Sequence, residues 1–301
     1  MMTGPIPSQE SYPLSVQDYI YIDNDAALRN LAEQLADTAW LAIDTEFERE
    51  TTYYPELCLL QIANADVVAI VDPFSLTEKE PLHALLYNPS ITKVFHSARQ
   101  DLEIFFHLHG TVPTPLFDTQ IAAGKYGYDN GIGYANLVDK MFGVILDKTH
   151  TRTRWKRRPL NTEQLRYAAD DVIYLGQIYE QMVSKAEYPS LKKLLQVEFN
   201  KLTDPQLYLP DPARMWQKIH EARRLSGNSL AALQALAAWR ELTARKENQP
   251  RKWVLTDQIL LEIARKLPVN EQELTQIKGL NDQQLIRYGI ELLNIINGVP
   301  T

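Results

Sequence analysis

Two acids stand two residues apart in Trp40-Leu41-Ala42-Ile43-Asp44-Thr45-Glu46-Phe47, a run whose apolar pattern predicts a β-strand. Alternate residues of a strand leave the same face, so Asp44 and Glu46 point together while Ile43 points away. Carboxylates side by side repel each other, and Mg²⁺ or Mn²⁺, which prefer carboxylate oxygens, would relieve that repulsion. A solvated edge strand bearing two acids would look the same from Asp-x-Glu alone. Asp101 falls one helical turn after Ser97 in Phe95-His96-Ser97-Ala98-Arg99-Gln100-Asp101-Leu102, a place where an acid is ordinarily favoured near a helix N-terminus. Tyr167 and Asp171 are four apart in a helical pattern and share a face. Cations gather elsewhere. Arg152, Arg154, Lys156, Arg157 and Arg158 surround Trp155, with Lys148 upstream. Such a strip suits the phosphates and a stacked base of a single-stranded end, and equally a solvated loop whose tryptophan packs on the domain.

These side chains need a scaffold. After a polar leader of about residues 1–20, Trp40 to Phe47, Leu57 to Asn64 and Val67 to Val71 read as three strands of a meander, and Thr92 to Phe95 as a short fourth. Ser97 with Gln100 forms a capping-box signature for a helix running to about Leu108, and Asn161 with Gln164 forms another. The second opens a long helix with the apolar face Leu165, Ala168, Val172, Leu175 and Tyr179. Alternation of strand and helix predicts a mixed α/β domain. The segment Leu202-Thr203-Asp204-Pro205 to Leu209-Pro210-Asp211-Pro212 reads as a linker, which divides the chain into 1–205 and 206–301. The second part is helical throughout in its pattern.

Composition narrows the classes of function. Hydrophobic residues make up 45% and charged residues 23%, an ordinary globular balance. Residues Met1 to Pro13 lack a basic segment followed by an apolar one, and no run approaches the ~18 apolar residues of a membrane span, so a cytoplasmic protein is expected. A single cysteine, Cys58, permits no internal disulfide and no multi-cysteine zinc site. The net charge of −7 is uneven. After residue 205, 13 lysines and arginines stand against 10 acids, and before it 18 against 28. An acidic domain can still act on nucleic acid if metal neutralises some carboxylates and a basic strip meets the phosphates.

Asp44-Thr45-Glu46-Phe47, then His96-x-x-x-x-Asp101-Leu102, then Tyr167-x-x-x-Asp171-Val172 resembles the three motifs of the DEDD exonuclease superfamily in its tyrosine subclass. The stretches Tyr54 to Ala63, Phe117-Asp118-Thr119-Gln120-Ile121-Ala122-Ala123 and Leu146-Asp147-Lys148-Thr149 resemble the ribonuclease D family in particular. The resemblance covers nearly the whole chain. It implies a ribonuclease H-like mixed sheet with flanking helices, in which Asp44, Glu46, Asp101 and Asp171 hold two divalent ions, Mg²⁺ or Mn²⁺, and Tyr167 orients the attacking water. It implies release of nucleoside 5′-monophosphates from the 3′ end of RNA, with precursor tRNA and other small structured RNAs as substrates, and no protein partner. The motif selects Asp171 over its neighbour Asp170, which is four residues after Arg166 and could pair with it on the surface. Asp118 is expected to cap the helix that follows it, and His96 to be a polar neighbour of the site.

The family's Lys-Ser/Thr…Trp-x-x-Arg-Pro-Leu stretch is matched by Lys148-Thr149 and by Trp155 to Leu160, which nominates Lys148, Arg152, Trp155 and Arg158 for nucleic-acid contact. The C-terminal part resembles the helicase-and-ribonuclease-D C-terminal (HRDC) domain, an all-α bundle, in Leu236 to Glu241, Asn248-Gln249-Pro250 and Trp253 to Asp257. Trp239, Leu242, Trp253 and Leu260 are expected in its core, and Arg245, Lys246, Arg251 and Lys252 on its surface, with Arg245 and Lys252 as phosphate contacts. Two rival readings share the acidic site: a DNA-directed 3′→5′ exonuclease, since no motif displays recognition of the 2′-OH, and a catalytically silent RNA-binding scaffold.

Overall fold

The structure is a computed structural model, and it describes residues 19–147, 149, 153–185 and 187–298. The chain forms two compact units: one comprises the chain up to Glu48 together with Leu57–Thr203, the other Arg49–Glu56 together with Asp204 onward.

The first unit begins with β1 (Ile20–Ile22), α1 (Asp25–Leu35), β2 (Trp40–Glu48), β3 (Glu56–Ala63) and β4 (Val68–Val71). It continues through α2 (Glu80–Leu86), β5 (Thr92–Phe95), α3 (Arg99–His109), β6 (Leu116–Asp118), α4 (Thr119–Lys125), α5 (Tyr134–Phe142), α6 (Thr162–Ser184) and α7 (Tyr188–Lys201). The six strands form one mixed sheet in the order β1-β4-β3-β2-β5-β6. The β3–β4 pair is antiparallel, whereas β1–β4, β2–β5 and β5–β6 are parallel. The expected meander is therefore β2-β3-β4, and the sheet extends on both sides of it by parallel strands. The strands β1 and β6, three residues each, carry too few residues to show a period of two, and the sequence pattern does not reveal them.

Cys58–Ala63 and Val68–Val71 are buried almost completely, as expected of central strands covered on both faces. The long helix α6 packs across β2, β4 and β5. Its N-terminus is closed by the expected capping box, in which the Asn161 side chain accepts from Gln164 N and Gln164 returns a bond to Asn161 N. Close approach of α6 to β2 depends on Gly176. A Cβ there would lie 2.5 Å from the Trp40 ring, so a larger residue requires the ring or the helix to shift, beside the strand that carries Asp44 and Glu46.

In the second unit, 3₁₀ turns precede α8 (Gly227–Lys246), α9 (Arg251–Val254), α10 (Asp257–Lys266), α11 (Glu271–Leu274) and α12 (Asp282–Asn297). Its core gathers Leu233, Leu236, Ala237, Leu260, Ile263 and Leu292, and Tyr53 belongs to the same cluster. Trp239 packs partly against that core, donating from Nε1 to Glu291. Leu242 and Trp253 correct the expectation: they are 54% and 49% exposed. The buried stripe of α8 runs through Leu233, Leu236, Ala237, Arg240, Glu241 and Ala244, and Leu242 lies off it.

Candidate active site

Helix α6 and strand β2 bring three predicted acids together. Carboxylate oxygens of Asp44, Glu46 and Asp171 lie within 4.8 Å of one another, close enough to share a cation. Asp101, near the start of α3, accepts a hydrogen bond from the Thr45 hydroxyl at 2.5 Å. Thr45 leaves β2 between the two acids and on the other face, and so links the fourth acid to the strand that carries the first two. Thr45 was not singled out by its sequence; an interior threonine between two acids gives no sign of its partner.

The electrostatics are those of a site built for positive charge. Burial, and then the charges of Asp171, Asp101 and Glu46, push the Asp44 carboxyl well above the usual carboxylate range. Burial followed by Asp171 and Asp101 pushes Glu46 up to about 9. Burial raises Asp101 to about 7, and burial with Asp170 beside it raises Asp171 to about 8. Without a cation these acids favour protons. A hard divalent cation, for which carboxylate oxygens are the preferred donors, fits this donor set and reverses the preference.

Tyr167 lies one turn before Asp171 on α6. Both line an open cleft of about 250 Å³ with Gly133, Tyr134, Asn136 and Leu146. Tyr134, absent from the sequence-based candidates, donates from its hydroxyl to the Asp170 carbonyl at 2.9 Å and feels the charges of Asp171 and Asp44. Asp170 itself is raised to about 6, chiefly by burial, and its Oδ1 is buried without a partner. The Arg166 charge, one turn away, lowers it against the larger effect of burial. His96 is engaged at both nitrogens, Nδ1 with Thr119 Oγ1 at 2.9 Å and Nε2 with the Ile132 carbonyl at 3.0 Å, and burial lowers its proton affinity. With both ring nitrogens engaged by protein groups, it is a structural neighbour of the site.

The cations proposed to meet nucleic acid fare differently. Lys148 and Arg152 lie outside the described residues. Trp155 is 2% exposed, with its ring centroid 6.1 Å from that of Tyr167, so its faces are committed to the interior. Arg158 is a pin rather than a free cation. Its guanidinium donates to Asp72 through Nε and Nη2 (2.5 and 2.8 Å), to the Cys58 carbonyl at 2.7 Å and to the Trp155 carbonyl at 2.6 Å. In the second unit Arg245 and Arg251 both turn inward to the fully buried Glu241, while Lys252 remains exposed. The sequence displays the charges and not the carboxylates that consume them.

The 3′-5′ exonuclease family model matches residues 19–187, and the HRDC domain model matches residues 229–296. A ribonuclease D of Gluconacetobacter diazotrophicus is 40% identical over 265 residues, covering 88% of this chain and 67% of that protein. One from Shewanella sp. (strain ANA-3) is 36% identical over 290 residues, covering 96% and 74%. Among solved structures, Escherichia coli RNase D, described as an exoribonuclease involved in structured RNA processing, superposes with a TM-score of 0.85 at 35% identity, covering 94% of this chain and 75% of that one. The catalytic core of RRP6 from Trypanosoma brucei gives a TM-score of 0.71 at 25% identity, covering 98% and 83%. Acids converging between β2 and α6, a family model spanning the sheet domain, and relatives this similar over most of their length lead to one conclusion: the chain belongs to the ribonuclease D family and is a 3′-5′ exoribonuclease.

Proposed function

We propose that the chain hydrolyses RNA from its 3′ end with two divalent ions held by Asp44, Glu46, Asp101 and Asp171, releasing nucleoside 5′-monophosphates. The observation that carries this reading is the convergence of Asp44, Glu46 and Asp171 within 4.8 Å, an arrangement of carboxylates that a divalent cation makes favourable. Such ions supply Lewis acidity to an in-line displacement at phosphorus. The protein's own part is to hold the four carboxylates, through β2, α3 and α6, and to aim the Tyr167 hydroxyl beside the scissile phosphate. The cleft beside Tyr167 and Asp171 receives the terminal nucleotide. Trimming of precursor tRNA and other small structured RNAs is the physiological role this reading favours, with the helical unit adding grip on the longer RNA through exposed cations such as Lys252, and with Lys148 and Arg152 as further phosphate contacts.

The test is incubation of the purified chain with matched 3′-labelled and 5′-labelled RNA and DNA strands in Mg²⁺, Mn²⁺ or EDTA. Labelled mononucleotide from 3′-labelled RNA at the earliest times, and none in EDTA, is the expected result. Cleavage that persists in EDTA would exclude the metal-dependent mechanism, and preferred cleavage of DNA would exclude the RNA assignment.

A further inference from the structure

The helix that carries Asp101 does not have the cap its sequence suggests. Ser97 adopts φ = 62°, in the left-handed region, and α3 starts at Arg99 after Ala98, with no side-chain cap from its own residues. A serine in that conformation is strained unless its surroundings hold it there. What holds it is remote in sequence. Ser97 N donates to Asp118 Oδ1 at 3.3 Å, and Ala98 N to Asp118 Oδ2 at 2.9 Å.

Asp118 ends β6, opposite Phe95 of β5, and is 2% exposed. Its Oδ1 also accepts Gln120 N at 2.8 Å and Ile121 N at 3.1 Å, the cap expected for α4. One carboxylate therefore takes four backbone N–H groups, two at the start of α4 and two in the turn that leads into α3. The next residue reinforces the arrangement, because Thr119 Oγ1 donates to the Phe95 carbonyl at 3.0 Å. From Ala98 the chain reaches Asp101 in three residues, within the first turn of α3, and Leu102 N closes that turn on the Ala98 carbonyl at 2.9 Å. Where Ser97 and Ala98 are held decides where the Asp101 carboxylate sits relative to Thr45 and the other acids.

We propose that Asp118 is a positioning residue for catalysis: by clamping the β5–α3 turn it sets the placement of Asp101 in the acidic site. A carboxylate is needed because both oxygens accept. An amide has one oxygen, and its NH₂ would face the Ala98 N–H. The inference rests on the reading that Asp101 is one of the acids holding the divalent ion.

Asp118→Asn and Asp118→Ser in the full chain test it. Serine still caps α4 but is too short to reach across to Ser97 and Ala98, so it separates the local cap from the clamp and carries the test if the asparagine variant does not fold. Asn24→Ala, which removes a cap from α1 where the Asn24 side chain accepts Ala27 N, controls for loss of a helix cap alone. The readouts are Mn²⁺ affinity, from the electron paramagnetic resonance signal of free Mn²⁺, the metal concentration giving half-maximal cleavage, and KM for a short RNA. Both Asp118 variants should bind Mn²⁺ about tenfold or more weakly, as is usual when a partner of a metal ligand is lost, with KM for RNA nearly unchanged and cleavage partly recovered in excess metal. Asn24→Ala should melt earlier and bind Mn²⁺ normally. Wild-type Mn²⁺ affinity in the Asp118 variants, or an equal loss in Asn24→Ala, would overturn the proposal. Asp101→Asn is measured beside them. If it binds Mn²⁺ like the wild type, the assignment of Asp101 fails; if it alone is weak, only the role of Asp118 fails.

Discussion

Asp170 and Asp171 are adjacent, and the fold separates them. The Asp171 carboxylate joins Asp44 and Glu46, whereas Asp170 keeps an unpartnered Oδ1 and offers its carbonyl to Tyr134. Asp44→Asn or Asp171→Asn is expected to abolish cleavage with the fold intact, and Asp170→Asn to keep most activity; an inactive Asp170 variant beside an active Asp171 variant would show that the wrong acid was assigned. The raised acids also make a pH prediction. Glu46, Asp171 and Asp101 titrate near 9, 8 and 7 in the folded metal-free chain, above the carboxylate value of about 4 expected when unfolded. A folded pKa above the unfolded one favours folding fully below about pH 4, and that contribution is lost as pH rises through the folded values. Metal-free protein should therefore melt progressively earlier from pH 6 to 9, Mn²⁺ should offset the loss, and Asp44→Asn should flatten the profile. A metal-free melting temperature that rises over this range would contradict the mutual repulsion of these acids. Tyr167→Phe removes one hydroxyl and no carboxylate. If that hydroxyl orients the attacking water, kcat should fall by about 10²–10⁴-fold with RNA affinity and melting temperature almost unchanged. Normal turnover with easier unfolding would make Tyr167 a packing residue.

Strand β5 sits between β2 and β6, and its second residue is a lysine with no exposed surface. The Lys93 ammonium donates to the carbonyls of Asn88, Ile91 and Thr114 at 2.7, 2.7 and 2.6 Å, so each of its three protons has an acceptor. These bonds tie the turn entering β5 to the turn entering β6, and β5 in turn leads to the clamped Ser97. Lys93→Met keeps the apolar stem and leaves three carbonyls without their donor, that of Ile91 in buried surroundings and those of Asn88 and Thr114 in partly buried ones. It is expected to lower stability by on the order of 3 kcal/mol in urea titration, more than an ordinary surface lysine substitution. A change below about 0.5 kcal/mol would mean that water replaces the ammonium without loss. A lysine within a strand pattern reads as an exposed position, and only the three converging carbonyls reveal why it is buried.

The division of the whole molecule does not follow the linker alone. Residues Arg49–Glu56, between β2 and β3, belong to the helical unit, where the Tyr53 hydroxyl bonds Glu241 and the Asn248 side chain accepts Tyr53 N and Tyr54 N, both at 3.2 Å. Glu241 is fully buried and paired with Arg245 and Arg251, whose guanidinium groups also lie over the Tyr53 ring. Burial alone would raise the Glu241 carboxyl. Hydrogen bonds from Arg251 and Tyr53, with the Arg251 charge, outweigh it and hold the group down at about 2. A depressed carboxyl contributes stability above its unfolded value near 4.5, and that contribution is lost as pH falls through about 2. Tyr53→Phe removes one of the bonds that depress it, so the acid-unfolding midpoint should move to higher pH, followed by circular dichroism; an unmoved midpoint would show that the two arginines suffice. A chain ending at residue 205 retains Arg49–Glu56 without the helices that bury Tyr53. It is expected to cleave short strands slowly while melting earlier than the full chain, and equal melting in calorimetry would show that this segment is independent of the helical unit.

Local sequence determined the elements on which the chemistry stands. The spacing of Asp44 and Glu46 assigns them to one face of a strand, that of Tyr167 and Asp171 to one face of a helix, and Asn161 with Gln164 starts that helix, because strand alternation, helical period and capping boxes act over a few residues. The motif order was sufficient to show the resemblance to ribonuclease D. Only the tertiary structure decided which charges are spent across the chain: Arg158 on Asp72, Arg251 on Glu241, and the Ser97 and Ala98 N–H groups on Asp118. Asp72 is 86 residues from Arg158, and Asp118 is 21 and 20 residues from Ser97 and Ala98, so these partners are set by contact between segments distant in the chain. Burial makes such pairings obligatory, since a desolvated charge must find a partner, and no local pattern encodes which distant residue will supply it.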